Sequence, residues 1–215
     1  LLEKKEIAAI VLAAGASKRF GSDKLLHPIT LDGVTLPLAA FSLLPWLETF
    51  EQITVVVRQE SEKFCSQIND ALGMKLAAAL QWIVCENADT GMAASLACGV
   101  LANRNASGWL IGLADMPALP SAAIVGVRNA LLQGAKLATP FYAGKRGHPV
   151  GFASVYLEEL LAIKGDEGAR KLLERNKADL QQIQVNDEGI FSDVDTPDDL
   201  KNPGLSPLLR GRGLG

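Results

Sequence analysis

From Leu12 to Lys24 the chain reads Leu-Ala-Ala-Gly-Ala-Ser-Lys-Arg-Phe-Gly-Ser-Asp-Lys, which holds the means to bind a polyphosphate. An apolar run over 7–13 ends in small side chains, so the backbone can approach a ligand and aim its N–H groups at anionic oxygens. Arg19 and Lys24 follow close behind Gly15 and supply positive charge. Read alone, the same residues also suit a strand followed by an incidentally basic surface turn, because single glycine loops are common. The rest of the chain has to decide.

Three more clusters carry chemistry. Asp115, in Leu113-Ala114-Asp115-Met116-Pro117, is a carboxylate directly after an apolar run. Burying it costs desolvation unless it meets a cation, so a metal ion or a positive group is its natural partner; a turn or helix cap before Pro117 is the plainer role. Gly144-Lys145-Arg146-Gly147-His148-Pro149 is a glycine-bracketed basic turn, suited to an anion or to a solvated hairpin tip. In Asp193-Val194-Asp195-Thr196-Pro197-Asp198-Asp199, Asp195 or Thr196 could cap a helix opening at Pro197. Alternation there could also bring Asp193 or Asp195 near Asp115.

The elements that must position these groups alternate. Short apolar runs over 7–13, 53–57, 80–84 and 109–113 read as buried strands. Between them, helices are expected over 36–47, 61–72, 92–101 and 120–132, the first ended or kinked by Pro45. Further on come strands at 136–142, 150–153 and near 183–185, with helices over 155–163 and 168–176. Strand–helix alternation of this kind predicts an α/β fold, a sandwich around a mainly parallel sheet. Ligands in such sheets sit at the carboxyl ends of the strands, where the loop after Ala13 and Asp115 both fall. A single domain is expected over 1–203, with a disordered tail over 204–215 rich in Gly, Pro and Arg.

Composition narrows the partners. The formal net charge is −3 with 21% charged residues, against a general nucleic-acid binder. Cys65, Cys85 and Cys98 are odd in number and lack C-x-x-C spacing, so a disulfide framework or zinc site is not expected; buried small apolar side chains in a reducing cytoplasm are. No apolar run nears the roughly 20 residues of a membrane span, and the charged first residues lack a signal-peptide core. A cytoplasmic protein without membrane or nucleic-acid partners is the expectation.

Taken in order, the clusters resemble one family: the nucleotidyltransferases that attach a nucleotide to the molybdopterin cofactor, and among them the cytidylyltransferase branch. The matching elements are Leu12-Ala13-Ala14-Gly15-x-Ser17-x-Arg19-x-Gly21-x-x-Lys24, Gly91-Met92-x-x-Ser95, Ala114-Asp115-Met116-Pro117, Arg146-Gly147-His148-Pro149, Gly165-Asp166-x-Gly168-Ala169-Arg170 and Asp193-Val194-Asp195-Thr196-Pro197. They span about residues 7–201. A dinucleotide-dependent oxidoreductase is disfavoured, because no G-x-G-x-x-G follows the first strand.

The resemblance implies a three-layer Rossmann-like α/β sandwich with a mainly parallel mixed sheet and Mg²⁺ as cofactor. It implies transfer of CMP from CTP to the phosphate of molybdenum-molybdopterin, with release of pyrophosphate. Backbone N–H groups from Ala13 to Ser17 would hold the triphosphate, Arg19 and Lys24 would neutralise it, and Asp115 would hold Mg²⁺ with Asp195 as second carboxylate and Asp193 as alternative. Arg19, Lys24 and Asp115 are the catalytic candidates. Leu12, Ala13, Ala14, Gly15, Ser17, Gly91, Met92 and Ser95 join them in binding nucleotide, while Arg146, Gly147 and His148 would face the acceptor. Ala14 stands where guanylyl-transferring relatives carry glycine; its methyl leaves less room and suits a pyrimidine. Phe20 and Ala114 depart from the family's usual Met and Gly. Transient contact with a client molybdoenzyme or its chaperone is a further implied partnership. The alternatives are a cytidylyltransferase for another phosphorylated acceptor, and a non-catalytic carrier of finished cofactor, which would have no use for Lys24, Asp115 and Asp195 together.

Overall fold

The computed structural model describes residues 6–15, 20, 23–31, 33–165 and 169–201. β1 (Ile7–Leu12) leads, through a 3-10 turn at Lys24–Leu26, into a hairpin of β2 (Pro28–Leu31) and β3 (Val34–Pro37). There follow α1 (Leu38–Leu47), β4 (Ile53–Arg58), α2 (Glu62–Ala77), β5 (Leu80–Cys85), α3 (Met92–Ala102) and β6 (Gly108–Leu113). The remaining elements are α4 (Ser121–Leu132), β7 (Leu137–Tyr142), β8 (Lys145–Arg146), β9 (Val150–Ala153), α5 (Leu157–Ala162), α6 (Arg170–Arg175) and β10 (Leu180–Gln184).

Apart from the hairpin, the strands form one sheet ordered β10-β7-β9-β6-β1-β4-β5, with β8 paired to β7. β1 runs parallel to β4 and β6, β4 to β5, and β7 to β10; β9 is antiparallel to both of its neighbours. Helices cover both faces. In β1, Ala9 and Val11 pack into the core layer of α1, α2 and α4, while Ile10 and Leu12 pack into that of α3, α5 and α6. That strict alternation across a strand buried on both faces makes the run over 7–13 apolar throughout. Burying one such side chain, Phe152 for example, contributes about 1.5–3 kcal/mol. The result is the expected three-layer α/β sandwich with a mixed, mostly parallel sheet.

Local expectations differ from the fold in a few places. Helix α1 begins at Leu38 rather than residue 36, because Val34–Pro37 pairs with Pro28–Leu31. Pro45 does not end it; the helix continues to Leu47, where the fully buried Trp46 anchors the last turn. Helix α2 runs past Leu72, but Gly73 has non-helical dihedrals, so the periodic segment does stop there. The last strand starts at Leu180, ahead of the expected 183–185: it is a sheet-edge strand whose exposed Gln181, Gln182 and Gln184 hide the pattern. Residues 202–215 lie outside the described residues, as does the predicted start of the last helix at 168. Cys85 is buried as expected, whereas Cys65 and Cys98 are only half-buried; all three are free.

Candidate active site

Register aligns the carboxyl ends of four strands, β1, β4, β5 and β6. Leu12 pairs with Val56 on one side and Leu113 on the other, and Arg58 stands beside Cys85. The residues that leave these strands surround a cleft of about 600 Å³, lined by Leu12, Ala13, Ala14, Gly15, Lys24, Arg58, Glu86, Asp89, Gly91, Met92, Ser95 and Asp115 among others. Predicted nucleotide-binding residues from three separate stretches therefore meet in one place. Ser17 and Arg19 lie outside the described residues.

The Ala13 N–H does not serve a phosphate cradle. It donates to the Val56 carbonyl at 2.8 Å, extending the sheet by one rung beyond Leu12. Of the described loop residues lining the cleft, that leaves the backbone N–H groups of Ala14 and Gly15, and a side chain at Gly15 would project into open space. Helix α3 opens at the cleft wall behind Gly91, whose φ of 125° lies where other residues seldom go. Ser95, one turn in, is buried and also faces the cleft.

Lys24 is buried at the cleft floor, in the 3-10 turn that Leu25 anchors in the core. Its Nζ donates to Asp115 Oδ2 at 2.9 Å and to Asp195 Oδ1 at 3.2 Å. Burial alone would lower the Lys24 pKa, but the two carboxylates outweigh it and hold the ammonium above its ordinary value. Asp115 Oδ1 is buried with no hydrogen-bond partner among the described residues. The Val194 N–H donates to the Asp115 carbonyl at 2.9 Å, which brings Asp193 and Asp195 to the same place. Partial burial, then the negative charge of Asp115 and Asp195, pushes the Asp193 carboxyl above the usual range. Beyond Asp195 the expected capping takes a different form. Asp199 reaches back to accept from the N–H groups of Asp195 and Thr196 and from the Thr196 hydroxyl, and the turn that follows is 3-10, at Asp199–Lys201. Asp199 thereby fixes the backbone of Asp195.

A second pocket of about 250 Å³ adjoins the cleft, sharing Leu12, Met92 and Leu113 with it. Arg146, Gly147, His148 and Arg170 line it. The basic turn gets there because β9 is reversed: Val150, at its start, pairs with Ile111 near the end of β6, so the residues just before Val150 emerge at the site edge. Gly147 is there for packing. A Cβ would come within 2.6 Å of the Ile190 carbonyl and side chain, and its carbonyl accepts from Thr139 Oγ1 at 2.7 Å. The His148 ring has its Nδ1 buried without a hydrogen-bond partner among the described residues. Burial lowers its pKa and Arg146 adds to the effect, with Asp193 opposing.

Sequence reading missed Arg58 and Glu86, which line the cleft from the ends of the other two strands. Arg58 donates to the Gly15 carbonyl at 3.0 Å, tying the loop to β4. Their position immediately after the runs at 53–57 and 80–84 is the signal for them, since ligands in parallel sheets gather at strand carboxyl ends. Among the described residues no cluster of three or more His, Cys, Asp or Glu side chains forms a protein-only metal cage. Nor is any helix among them long and apolar enough to cross a membrane.

A small-residue loop, a lysine and converging carboxylates at the strand ends of an α/β sandwich suit nucleotidyl transfer. The chain belongs to the MobA-like NTP transferase domain family, which matches residues 9–181. It is 29% identical over 217 residues to the purine catabolism protein PucB of Bacillus subtilis (strain 168), covering 90% of this chain and 93% of that protein. Among solved structures it is similar to Rv0371c from Mycobacterium tuberculosis H37Rv, with TM-score 0.75 and 27% identity, covering 93% of this chain and 97% of that one. A nucleotidyl transferase from Methanothermobacter thermautotroptrophicus shares the fold, with TM-score 0.67 and 19% identity, covering 91% and 94% of the two chains.

Proposed function

We propose that this nucleotidyltransferase moves CMP from CTP to the terminal phosphate of molybdenum-molybdopterin. An acceptor phosphate oxygen attacks the α-phosphorus of CTP, the bond to the β-phosphate oxygen breaks, and pyrophosphate leaves with the electron pair. The observation that carries this reading is Lys24, buried between Asp115 and Asp195 in the cleft that the pocket of Arg146 and His148 adjoins. Phosphoryl-type transfer needs positioning and charge neutralisation more than covalent help from the protein.

The donor set fits Mg²⁺. Asp115 Oδ1 is buried and unpartnered among the described residues, and Asp115 Oδ2 and Asp195 Oδ1 already converge on one positive charge. Hard carboxylate oxygens, few in number and completed by substrate phosphates, are what this ion takes. Asp115 and Asp195 would hold it, with Asp193 as alternative, and when bound it supplies neutralising charge to the phosphates. Ala14 and Gly15 present backbone to the triphosphate, and Lys24 steadies the departing pyrophosphate, with Arg19 in the same role. Arg146 and His148 hold the acceptor in the second pocket.

CTP as donor is supported by Ala14, whose methyl narrows the loop where guanylyl-transferring relatives have glycine. The pterin acceptor is supported by the order of the motifs at Arg146–Pro149 and Gly165–Arg170. A cytoplasmic location is proposed with it, supported by three free cysteines. The deciding experiment is pyrophosphate release with each of the four NTPs, with and without molybdenum-loaded molybdopterin. Release that requires both CTP and the pterin is expected. Release with CTP and another phosphorylated acceptor moves the protein to that substrate, and no release with any pair overturns the enzymatic reading.

A further inference from the structure

Two cysteines meet behind the cleft. Cys85 ends β5 and lines the cleft; Cys98 lies on α3, the helix whose first turn forms the cleft wall. Cys98 S–H donates to Cys85 Sγ at 2.7 Å, and Cys85 S–H donates to Asn87 Oδ1 at 3.2 Å. Asn87 in turn organises the loop at the cleft edge, because its carbonyl accepts from both the N–H and the hydroxyl of Thr90. None of this is used in nucleotidyl transfer.

We propose that Cys85 and Cys98 are an oxidisable dithiol, closed to a disulfide by a small peroxide, and that closure weakens nucleotide binding. Disulfide sulfurs lie about 2.05 Å apart, so the pair needs to close by only roughly 0.6 Å. No third His, Cys, Asp or Glu ligand among the described residues joins them, so two-electron oxidation suits the pair better than a metal. Cys85 is fully buried and Cys98 only half-buried, so peroxide reaches Cys98 first. The Cys98 thiol takes one oxygen to become a sulfenic acid, and water leaves. Cys85 sulfur then displaces the hydroxyl, its proton departs with it as a second water, and the S–S bond forms.

The effect on the cleft follows from the lost protons. A cystine sulfur has no hydrogen to donate, so the bond to Asn87 disappears and the loop over 87–91 loses its tie to β5. The cross-link stands apart from the proposed function; only its effect on binding rests on the cleft being the nucleotide site.

The test treats the whole protein with hydrogen peroxide, then denatures it, alkylates free thiols and maps peptides by mass spectrometry. A single Cys85–Cys98 cross-link that thiol reductant reverses, with Cys65 alkylated throughout, is expected. Three alkylated thiols, or a cross-link to Cys65, overturn the proposal, and Cys98→Ser must abolish the link. In parallel, the KM for CTP in pyrophosphate release should rise several-fold on oxidation, with kcat little changed, and return on reduction. Asn87→Ala, kept reduced, should raise KM by a similar factor; an unchanged KM in both overturns the coupling. A reduced wild type that shows no CTP-dependent release counts against the proposed function instead and leaves the cross-link result standing.

Discussion

The Val194 N–H donates to the carbonyl oxygen of Asp115 across 2.9 Å, and that one backbone bond assembles the acidic side of the site. Val194 itself is buried, so the residues on either side of it, Asp193 and Asp195, are held beside Asp115. Three carboxylates then share a neighbourhood with one lysine. On the proposed reading this excess of negative charge is what would hold a divalent cation, with Lys24 standing in for it.

Lys24→Met should separate these roles. Turnover should fall by orders of magnitude, and the melting temperature should fall too, because two carboxylates lose their counter-charge. The stability loss should be about 1–3 kcal/mol, less than for a fully buried pair, since the Asp195 side chain remains 48% exposed. Added Mn²⁺ or Mg²⁺ should recover part of that stability in the variant and do little to the wild type. Thermal melts with and without the ion decide; a variant whose melting ignores the cation removes the metal from Asp115 and Asp195.

Asp115→Asn should abolish Mg²⁺-dependent turnover while Lys24 still pairs with Asp195. Measured as rate against Mg²⁺ concentration, a profile like that of the wild type would exclude Asp115 as the ligand.

Ala14→Gly, together with neighbouring loop changes, should relax the donor preference toward GTP. The readout is the ratio of kcat/KM for CTP and GTP. If exchange of the loop leaves that ratio untouched, discrimination lies elsewhere in the cleft wall.

His148 should make the fold acid-sensitive. Its folded pKa lies below the ordinary histidine value, chiefly through burial, so the native state resists taking up a proton that the unfolded chain accepts. Stability is therefore full above the unfolded value of about 6.5 and declines as pH falls from there toward the folded pKa. Denaturant midpoints measured across this window should fall in the wild type and flatten in His148→Gln. Equal slopes would assign the acid sensitivity to other groups.

Gly147→Ala should destabilise the fold by about 1–3 kcal/mol, the usual cost of overpacking, because the new methyl meets the Ile190 backbone as well as its side chain. A flexible neighbour could step aside; a carbonyl cannot do so cheaply. Chemical denaturation of the variant reads this directly, and an unchanged midpoint would mean that the segment at Glu188–Phe191 moves freely.

Much of the architecture was legible because strands buried on both faces are written as unbroken apolar runs. Residues 53–57 and 109–113 are examples, and each falls within one residue of its strand at both ends. The hairpin at Pro28–Pro37 is a different matter. It lies outside the main sheet and carries proline at both ends, so only Asp32-Gly33 between alternating residues marks it in the sequence. Lys24 stood out as a basic residue close behind Gly15, and Asp115 as a carboxylate directly after an apolar run. Their pairing did not, because it depends on a crossing of the chain that no local spacing encodes. Ala13 shows the opposite error: small residues suggested an open phosphate loop, yet the sheet claims its N–H first.

The reversal of β9 reaches beyond topology. It delivers the turn of Arg146 and His148 to the same edge as the loop after β1, but from the half of the sheet that β7 and β10 complete. On the proposed reading, donor and acceptor would be gripped by separate parts of one sheet, in two pockets that share Leu12, Met92 and Leu113. If so, a change of acceptor could be worked into the turn before β9 and into α6 while the nucleotide grip stays as it is, and one fold would keep a single chemistry while exchanging its second substrate.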